Sequence, residues 1–390
     1  MVLGVVLARM LVPEDFGRFA YVSAVVTALM IPFWITVTPL LVTDGGRNPS
    51  LFGRVLGFMC VTATLKLSVL CAYIVYQVII GQTEQAFLAF LIGVPVALFD
   101  LPEALRADLE GRGRFGPNLA VQLVGFATSA AISISMALLG CGIYALAVGG
   151  FAAYWPQLML YLGAGRRGIS EASFRWADLI SLSKTGLSFW TMQISSQMAA
   201  RIDKIFLGKL AGDTQLGYYN RGLNYGPFCL FLLSSLLTNA SVVAMRQQSS
   251  MRAKLTIARK TGLLLFGGAL ANWAVLWWFS DPLVPWLFGD QWRGAIPAFQ
   301  AFSWLGLAMA LHYSPMNFLL ANEANTQVAV AKGAGLLVTV VGLAIVALMG
   351  QACAVTVAYA YCVGLAAAGG IMIMIAFPIA LSALGNGPTK

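Results

Sequence analysis

Gln193 to Tyr225 reads QISSQMAARIDKIFLGKLAGDTQLGYYNRGLNY. Most of the remaining chain is apolar spans nearly free of charge, but here charges fall inside the spans. Arg201, Asp203 and Lys204 stand near the end of one predicted membrane helix, and Arg221 near the start of the next. An ionisable group in hydrocarbon costs roughly 3 kcal/mol or more, so it generally faces a partner or a water-filled cavity and marks function. With successive residues about 100° apart around a helix, Gln193, Gln197, Arg201 and Lys204 share one face. By the same arithmetic Arg221, Asn224, Tyr225, Ser235 and Asn239 share a face of the following helix. The stretch therefore reads as an antiparallel helix pair with polar stripes at similar depth.

Working outward, the stretch has a twin. Leu7 to Tyr21 reads LARMLVPEDFGRFAY, and Leu207 to Arg221 reads LGKLAGDTQLGYYNR. At an offset of 200 residues Leu7 matches Leu207, Arg9 matches Lys209, Phe16-Gly17 matches Leu216-Gly217 and Phe19 matches Tyr219. Both segments join the first two spans of a half, which points to a parallel internal repeat, a common transporter plan.

Of the 390 residues 59% are hydrophobic and only 10% charged, against about 25% charged in soluble domains, so the chain reads as an integral membrane protein. The net charge of +9 lies in short loops, with no basic stripe among exposed aromatics, which excludes nucleic acid as a partner. The start carries no basic leader or clear cleavage site. Six cysteines show neither CxxC nor Cys/His ligand spacing, so no metal is expected. Most read as small apolar residues; Cys141 and Cys353 fall in equivalent outer loops, where a disulfide is the alternative to two thiols.

A crossing helix needs ~20 apolar residues. Met1 to Met10 supplies about half a span, so the first helix reads as truncated. Further spans are expected at about Phe16–Val42, Leu51–Ile79, Gln85–Leu105, Asn118–Leu139, Ile143–Leu162, Leu179–Leu210, Leu216–Met245, Thr256–Phe279, Pro297–Ala321, Val328–Met349 and Val355–Ile379. The long span from Leu179 is expected to begin along the surface. Loops on one side hold sixteen Lys and Arg and the opposite loops four, namely Arg9, Arg18, Lys209 and Arg293. This asymmetry places both termini in the cytoplasm. The expectation is an all-α membrane protein of about twelve transmembrane helices in two pseudo-symmetric six-helix bundles, residues 1–175 and 176–390.

Lys66 lies mid-span, and counting from the turn at Gly81 to Glu84 sets it level with Asp100. Paired, the two cost less than either charge alone. Functionally they form a proton or cation site or a latch; structurally, a static bridge. The same count sets Arg201 near Asn224 and Lys204 near Arg221, with Asp203 in reach of Arg221. Three cations against one carboxylate would draw an anionic substrate such as a pyrophosphate; the bland alternative is snorkelling to headgroups. Arg9 and Lys209 read as interface anchors, and Trp277, Trp278, Trp286 and Trp292 as an aromatic belt. His312 reads as an ordinary polar residue. No nucleophile elbow, Walker motif or HExxH is visible, so neither enzyme activity nor a cofactor is expected.

The segments VLARMLVPEDFGRFAY, ARIDKIFLGKLAGDTQLGYYNRGLNYGPF and LFGDQWRGAIPAFQAFSWLGLAMA resemble the polysaccharide transporter branch (Wzx-type oligosaccharide flippases) of the multidrug/oligosaccharidyl-lipid/polysaccharide (MOP) exporter superfamily, over Val6 to about Gly364. The resemblance implies a MATE-like pair of bundles that alternates between membrane faces. It implies a flippase of the bacterial inner membrane, carrying undecaprenyl-pyrophosphate-linked repeat units of O-antigen, capsule or exopolysaccharide to the periplasmic face. It also implies an ion gradient, H+ or Na+, as driving force, and a polysaccharide polymerase and a chain-length regulator as further partners. Arg221 stands where the family often has a small residue. Two alternatives remain: a small-molecule or drug exporter of the same fold, which would favour acidic cavity residues, and a membrane glycosyltransferase or polymerase, which would need a larger outer loop.

Overall fold

The computed structural model describes residues 2–35, 37–44, 48–164 and 175–385, and these are helical with no strand among them. They divide into two compact units, Met1–Ile194 and Ser195–Lys390. The first holds α1 (Val2–Met10), α2 (Pro13–Met30), α3 (Pro39–Asp44), α4 (Pro49–Ile79), α5 (Thr83–Leu98), α6 (Asp100–Gly111), α7 (Phe115–Leu138) and α8 (Tyr144–Ala164). Helix α9 (Trp176–Tyr225) runs through the boundary between the units. The second unit continues with α10 (Phe228–Arg246), α11 (Met251–Phe288), α12 (Ile296–Ala321), α13 (Asn325–Leu348) and α14 (Ala354–Gly385).

Among the described residues nine helical segments are long and apolar enough to cross a membrane: α2, α4, α5 with α6, α7, α8, α11, α12, α13 and α14. Helices α1, α9 and α10 fall outside these nine. The 50-residue α9 is interrupted at Gly212 (φ 82, ψ 175), backbone that only glycine adopts without strain. In the first unit the same register holds Val12, extended at φ −82 and ψ 158, with Pro13 opening α2. The sequence twin is thus a structural one, with the chain reversing at residues 12 and 212.

Prolines shape the other expected spans. Phe16–Val42 is three pieces, α2, a 3-10 turn at Ile31–Phe33, and α3, because Pro32 and Pro39 cannot donate to a continuing helix. The span expected over Leu216–Met245 breaks at Gly226-Pro227, between α9 and α10. The first turns of α9 pack on the first unit. Asp178 pairs with Arg54 at 3.6 Å, Leu182 joins the core around Phe52, Leu56 and Leu109, and Trp190 donates its indole N–H to Ile31 O at 3.0 Å.

In the first unit α5 packs against α2, α4 and α8; in the second α12 packs against α10, α11 and α14. Helix α12 buries most of its residues from Ala298 to Ala321 and leaves one narrow stripe, with Trp304 and Leu311, exposed. Peripheral helices leave large apolar side chains such as Ile79, Leu138, Leu139, Trp278 and Leu348 exposed, a surface suited to lipid.

Candidate functional site

Lys66 on α4 and Asp100 at the start of α6 meet. Lys66 Nζ lies 2.6 Å from Asp100 Oδ2, and Thr62, one turn before Lys66, donates its hydroxyl to the same oxygen at 2.9 Å. Lys66 is 1% exposed and Asp100 5%. The Trp34 ring lies 5.5 Å from the ammonium. The break between α5 and α6 is what brings Asp100 to the lysine. Pro102 has no N–H, so Leu98 O lacks its helical donor, and Tyr154 on α8 supplies one at 3.1 Å. A cavity of about 250 Å³ opens beside this group, lined by Trp34, Pro95, Phe99, Tyr154 and Gln157.

The charged stretch of α9 sorts differently from its helical wheel. Asp203 is fully buried and does not take Arg221: Tyr219 donates to its Oδ2, and the Lys204 N–H donates to its Oδ1 at 2.7 Å. Tyr219 is the nearer competitor, held on the returning arm of α9 by its edge-on contact with Phe302, centroids 5.0 Å apart. Arg221 is 5% exposed, with its guanidinium carbon 5.3 Å from the Tyr225 ring, 5.4 Å from Trp292 and 5.9 Å from Phe288. It also donates to Tyr225 Oη at 3.2 Å. Arg221 and Tyr225 therefore belong to an aromatic cage and not to an open polar stripe. Trp292 is fully buried in that cage and leaves the expected aromatic belt, whereas Trp278 and Trp286 are about seven-tenths exposed.

Gln197, Arg201 and Lys204 remain half-buried on one face of α9. Neither cation forms a salt bridge among the described residues; Arg201 donates to Ala200 O at 3.1 Å. Asn224 is exposed and bonded to Asn220 one turn away. Ser235 cannot share a face with Arg221, because the break at Gly226-Pro227 resets the helical phase. The side chains of Gln193 and Asn239 lie outside the described residues. Arg9 and Lys209 are exposed. Cys141 and Cys353 are both half-buried within their own units.

The second unit has two cavities. One, about 230 Å³, is lined by α9, α12, α13 and α14 and carries His312, Lys332, Tyr313, Tyr361, Ser195 and Ser196. Lys332 stands two turns inside α13; its charge is easily miscounted with the loop before it, and its depth in an apolar helix is the signal that sets it apart. The other, about 420 Å³, is almost wholly apolar, with Arg259 and Ser314 its polar members, and lies between α11, α12 and α14.

Residues 6–297 match the family described as polysaccharide biosynthesis protein. The chain belongs to this family. It is 23% identical over 303 residues to the succinoglycan biosynthesis transport protein ExoT of Rhizobium meliloti (strain 1021), a match covering 75% of this chain and 59% of that protein. The chain thus spans about three-fifths of the curated relative it matches. Its fold is shared with solved structures of low sequence identity. An inward-facing multidrug resistance MATE family transporter superposes with a TM-score of 0.77 at 12% identity, covering 99% of this chain and 96% of that one. The lipid II flippase MurJ, inward closed, superposes at 0.69 with 12% identity, covering 98% and 88%. The chain is an all-α membrane protein of this fold, with about twelve transmembrane helices in two six-helix bundles.

Proposed function

We propose that this chain is a flippase for lipid-linked polysaccharide precursors in a bacterial inner membrane, moving an undecaprenyl-pyrophosphate-linked repeat unit to the periplasmic face. The observation that carries the reading is the pair Arg201 and Lys204, half-buried cations on one face of α9 whose neighbouring carboxylate is committed to Tyr219. A pyrophosphate needs charge-assisted donors, and Gln197 on the same face offers a neutral partner for sugar hydroxyls. Family membership and the transport role named for the succinoglycan relative support the polysaccharide assignment; the fold supports alternating access. The apolar cavity beside Arg259 suits an isoprenoid chain.

Lys66 and Asp100 form the ion-coupling element in this reading: a proton or Na+ competes with the ammonium for the carboxylate, and the adjoining cavity gives it a way in. Both termini are cytoplasmic, from the loop charges. A drug exporter for cations is disfavoured by the basic character of the α9 stripe. A polymerase and a chain-length regulator are the partners such a pathway implies.

The test is transport of a pyrophosphate-linked precursor by purified protein in vesicles. Arg201→Ala with Lys204→Ala should lower transport about tenfold or more, and Arg201→Lys should restore part of it. Full transport after both cations are removed would overturn the substrate assignment.

A further inference from the structure

The cavity at His312 has a donor-rich wall. No carboxylate lines it. His312 is 6% exposed, and its Nδ1 has no hydrogen-bond partner among the described residues. A buried polar atom left unpaired costs about 1–3 kcal/mol, so a site that keeps one is built for something that satisfies it. Lys332 lines the same cavity, half-buried, with no salt bridge among the described residues. An ammonium is donor-only, and the hydroxyls of Ser195 and Tyr361 can turn their hydrogens toward an anion.

The backbone around the cavity is shaped to keep it open at this place. Pro315 removes the helical donor to Leu311 O one residue before His312, and Gly369 lets α14 approach: a Cβ there would lie 2.7 Å from that oxygen. Gly335 and Gly364 bring α13 and α14 together; a Cβ on Gly335 would lie 2.6 Å from the Ala368 Cβ. Ser196, Tyr313 and Thr339 add further hydroxyls, and the remainder of the wall is apolar, including Leu305, Met309 and Leu365. Donors carried on four helices suit a tetrahedral oxyanion, whose oxygens point several ways, better than a planar carboxylate. The apolar remainder suits an anion attached to hydrocarbon.

We propose that this cavity is a binding site for a phosphoryl group carried on a hydrocarbon chain, held by Lys332 and His312 with Ser195 and Tyr361. The identity of the carrier rests on the flippase reading: the pyrophosphate of an isoprenoid-linked substrate and the headgroup of an anionic phospholipid present the same chemistry.

His312 is the single histidine of the chain, so one imidazole resonance reports this cavity. The full chain, purified through a tag without histidine and labelled with 15N-histidine, is placed in phosphatidylcholine nanodiscs and titrated with farnesyl pyrophosphate, with farnesol as control. A second preparation contains phosphatidylglycerol and no farnesyl compound. Movement of the His312 signal by farnesyl pyrophosphate but not farnesol supports the site and assigns the isoprenoid source; movement only with phosphatidylglycerol supports the site and assigns bilayer lipid. Lys332→Ala should weaken the response about ten- to a hundredfold and Lys332→Arg only a few-fold. A signal unmoved by either anion in the folded wild-type chain overturns the proposal, whatever the variants do. The flippase reading fails separately: a moved signal with no flipping in vesicles leaves the site standing, and flipping with an unmoved signal removes the site alone.

Discussion

The two units handle their membrane-depth charges in opposite ways. In the first, Lys66 reaches Asp100 at 2.6 Å and Thr62 caps the same oxygen, so cation and carboxylate cancel in place. In the second, the carboxylate of Asp203 goes to Tyr219, Arg221 lies over three rings, and Lys332 faces a cavity. Direct pairing gives local neutrality and leaves no net charge to draw an anion. A phenol takes the Asp203 carboxylate, and Arg201, Lys204 and Lys332 form no salt bridge among the described residues, so the second unit keeps an excess of positive charge. That excess is what an anionic substrate can use.

The sharpest way to break this contrast is to unpair the first unit. Lys66→Met leaves Asp100 buried without its cation and should cost about 3–5 kcal/mol, seen as a large loss of stability in detergent unfolding. Lys66→Met with Asp100→Leu should recover most of that loss, because no lone charge remains. A charge swap, Lys66→Asp with Asp100→Lys, should keep more transport than either single change. Equal stability of Lys66→Met and wild type would show that the pair contributes nothing.

The repeat offers a second comparison. Val12 is extended and Gly212 has positive φ at the same register. Gly212→Val should cost up to about 3 kcal/mol, since that backbone region is nearly closed to L side chains. Val12→Gly should cost well under half as much, being only an entropic penalty. Similar losses at both positions would mean that the two turns are interchangeable after all.

Arg221 tests the aromatic cage. Arg221→Met, which keeps most of the volume, should lose about 2 kcal/mol of cation–π attraction, and Arg221→Lys should lose less. Quenching of Trp292 fluorescence should change in both variants. A substrate role would show as lost transport at unchanged stability.

What was legible in the sequence follows from where helical counting holds. Lys66 and Asp100 sit on α4 and the α5–α6 arm, joined by a tight turn at Gly81, so depth could be counted outward from one point. The α1–α2 and α9 reversals were legible because both arms kept their spacing. Counting failed where the helix itself breaks: Gly226-Pro227 separates Tyr225 from Ser235, and one wheel was drawn through two helices. It also failed to rank partners. Asp203 had Arg221 and Tyr219 within similar reach, and only packing against Phe302 favours the phenol. His312 and Lys332 are not legible as a pair in the sequence, because residues on separate helices converge through tertiary packing, which no spacing rule records.

The smallest expected effect sharpens the contrast at the break that makes the first unit's pairing possible. Pro102 deprives Leu98 O of its helical donor, and Tyr154 replaces it at 3.1 Å. Tyr154 is 5% exposed, so in Tyr154→Phe little water reaches the vacated carbonyl. The loss should be about 1 kcal/mol, the net worth of one buried hydrogen bond. If the account is right, the cost depends on Pro102. Pro102→Ala restores an N–H one turn after Leu98, so Tyr154→Phe should be milder in that background, by roughly 0.5–1 kcal/mol in a double-mutant cycle. Pro102→Ala should also let α5 run straight into α6 and carry Asp100 away from Lys66, which a fall in transport would register separately. Additive effects of Tyr154→Phe and Pro102→Ala would mean that Tyr154 matters through its packing against Trp155 and not through the carbonyl that the proline sets free.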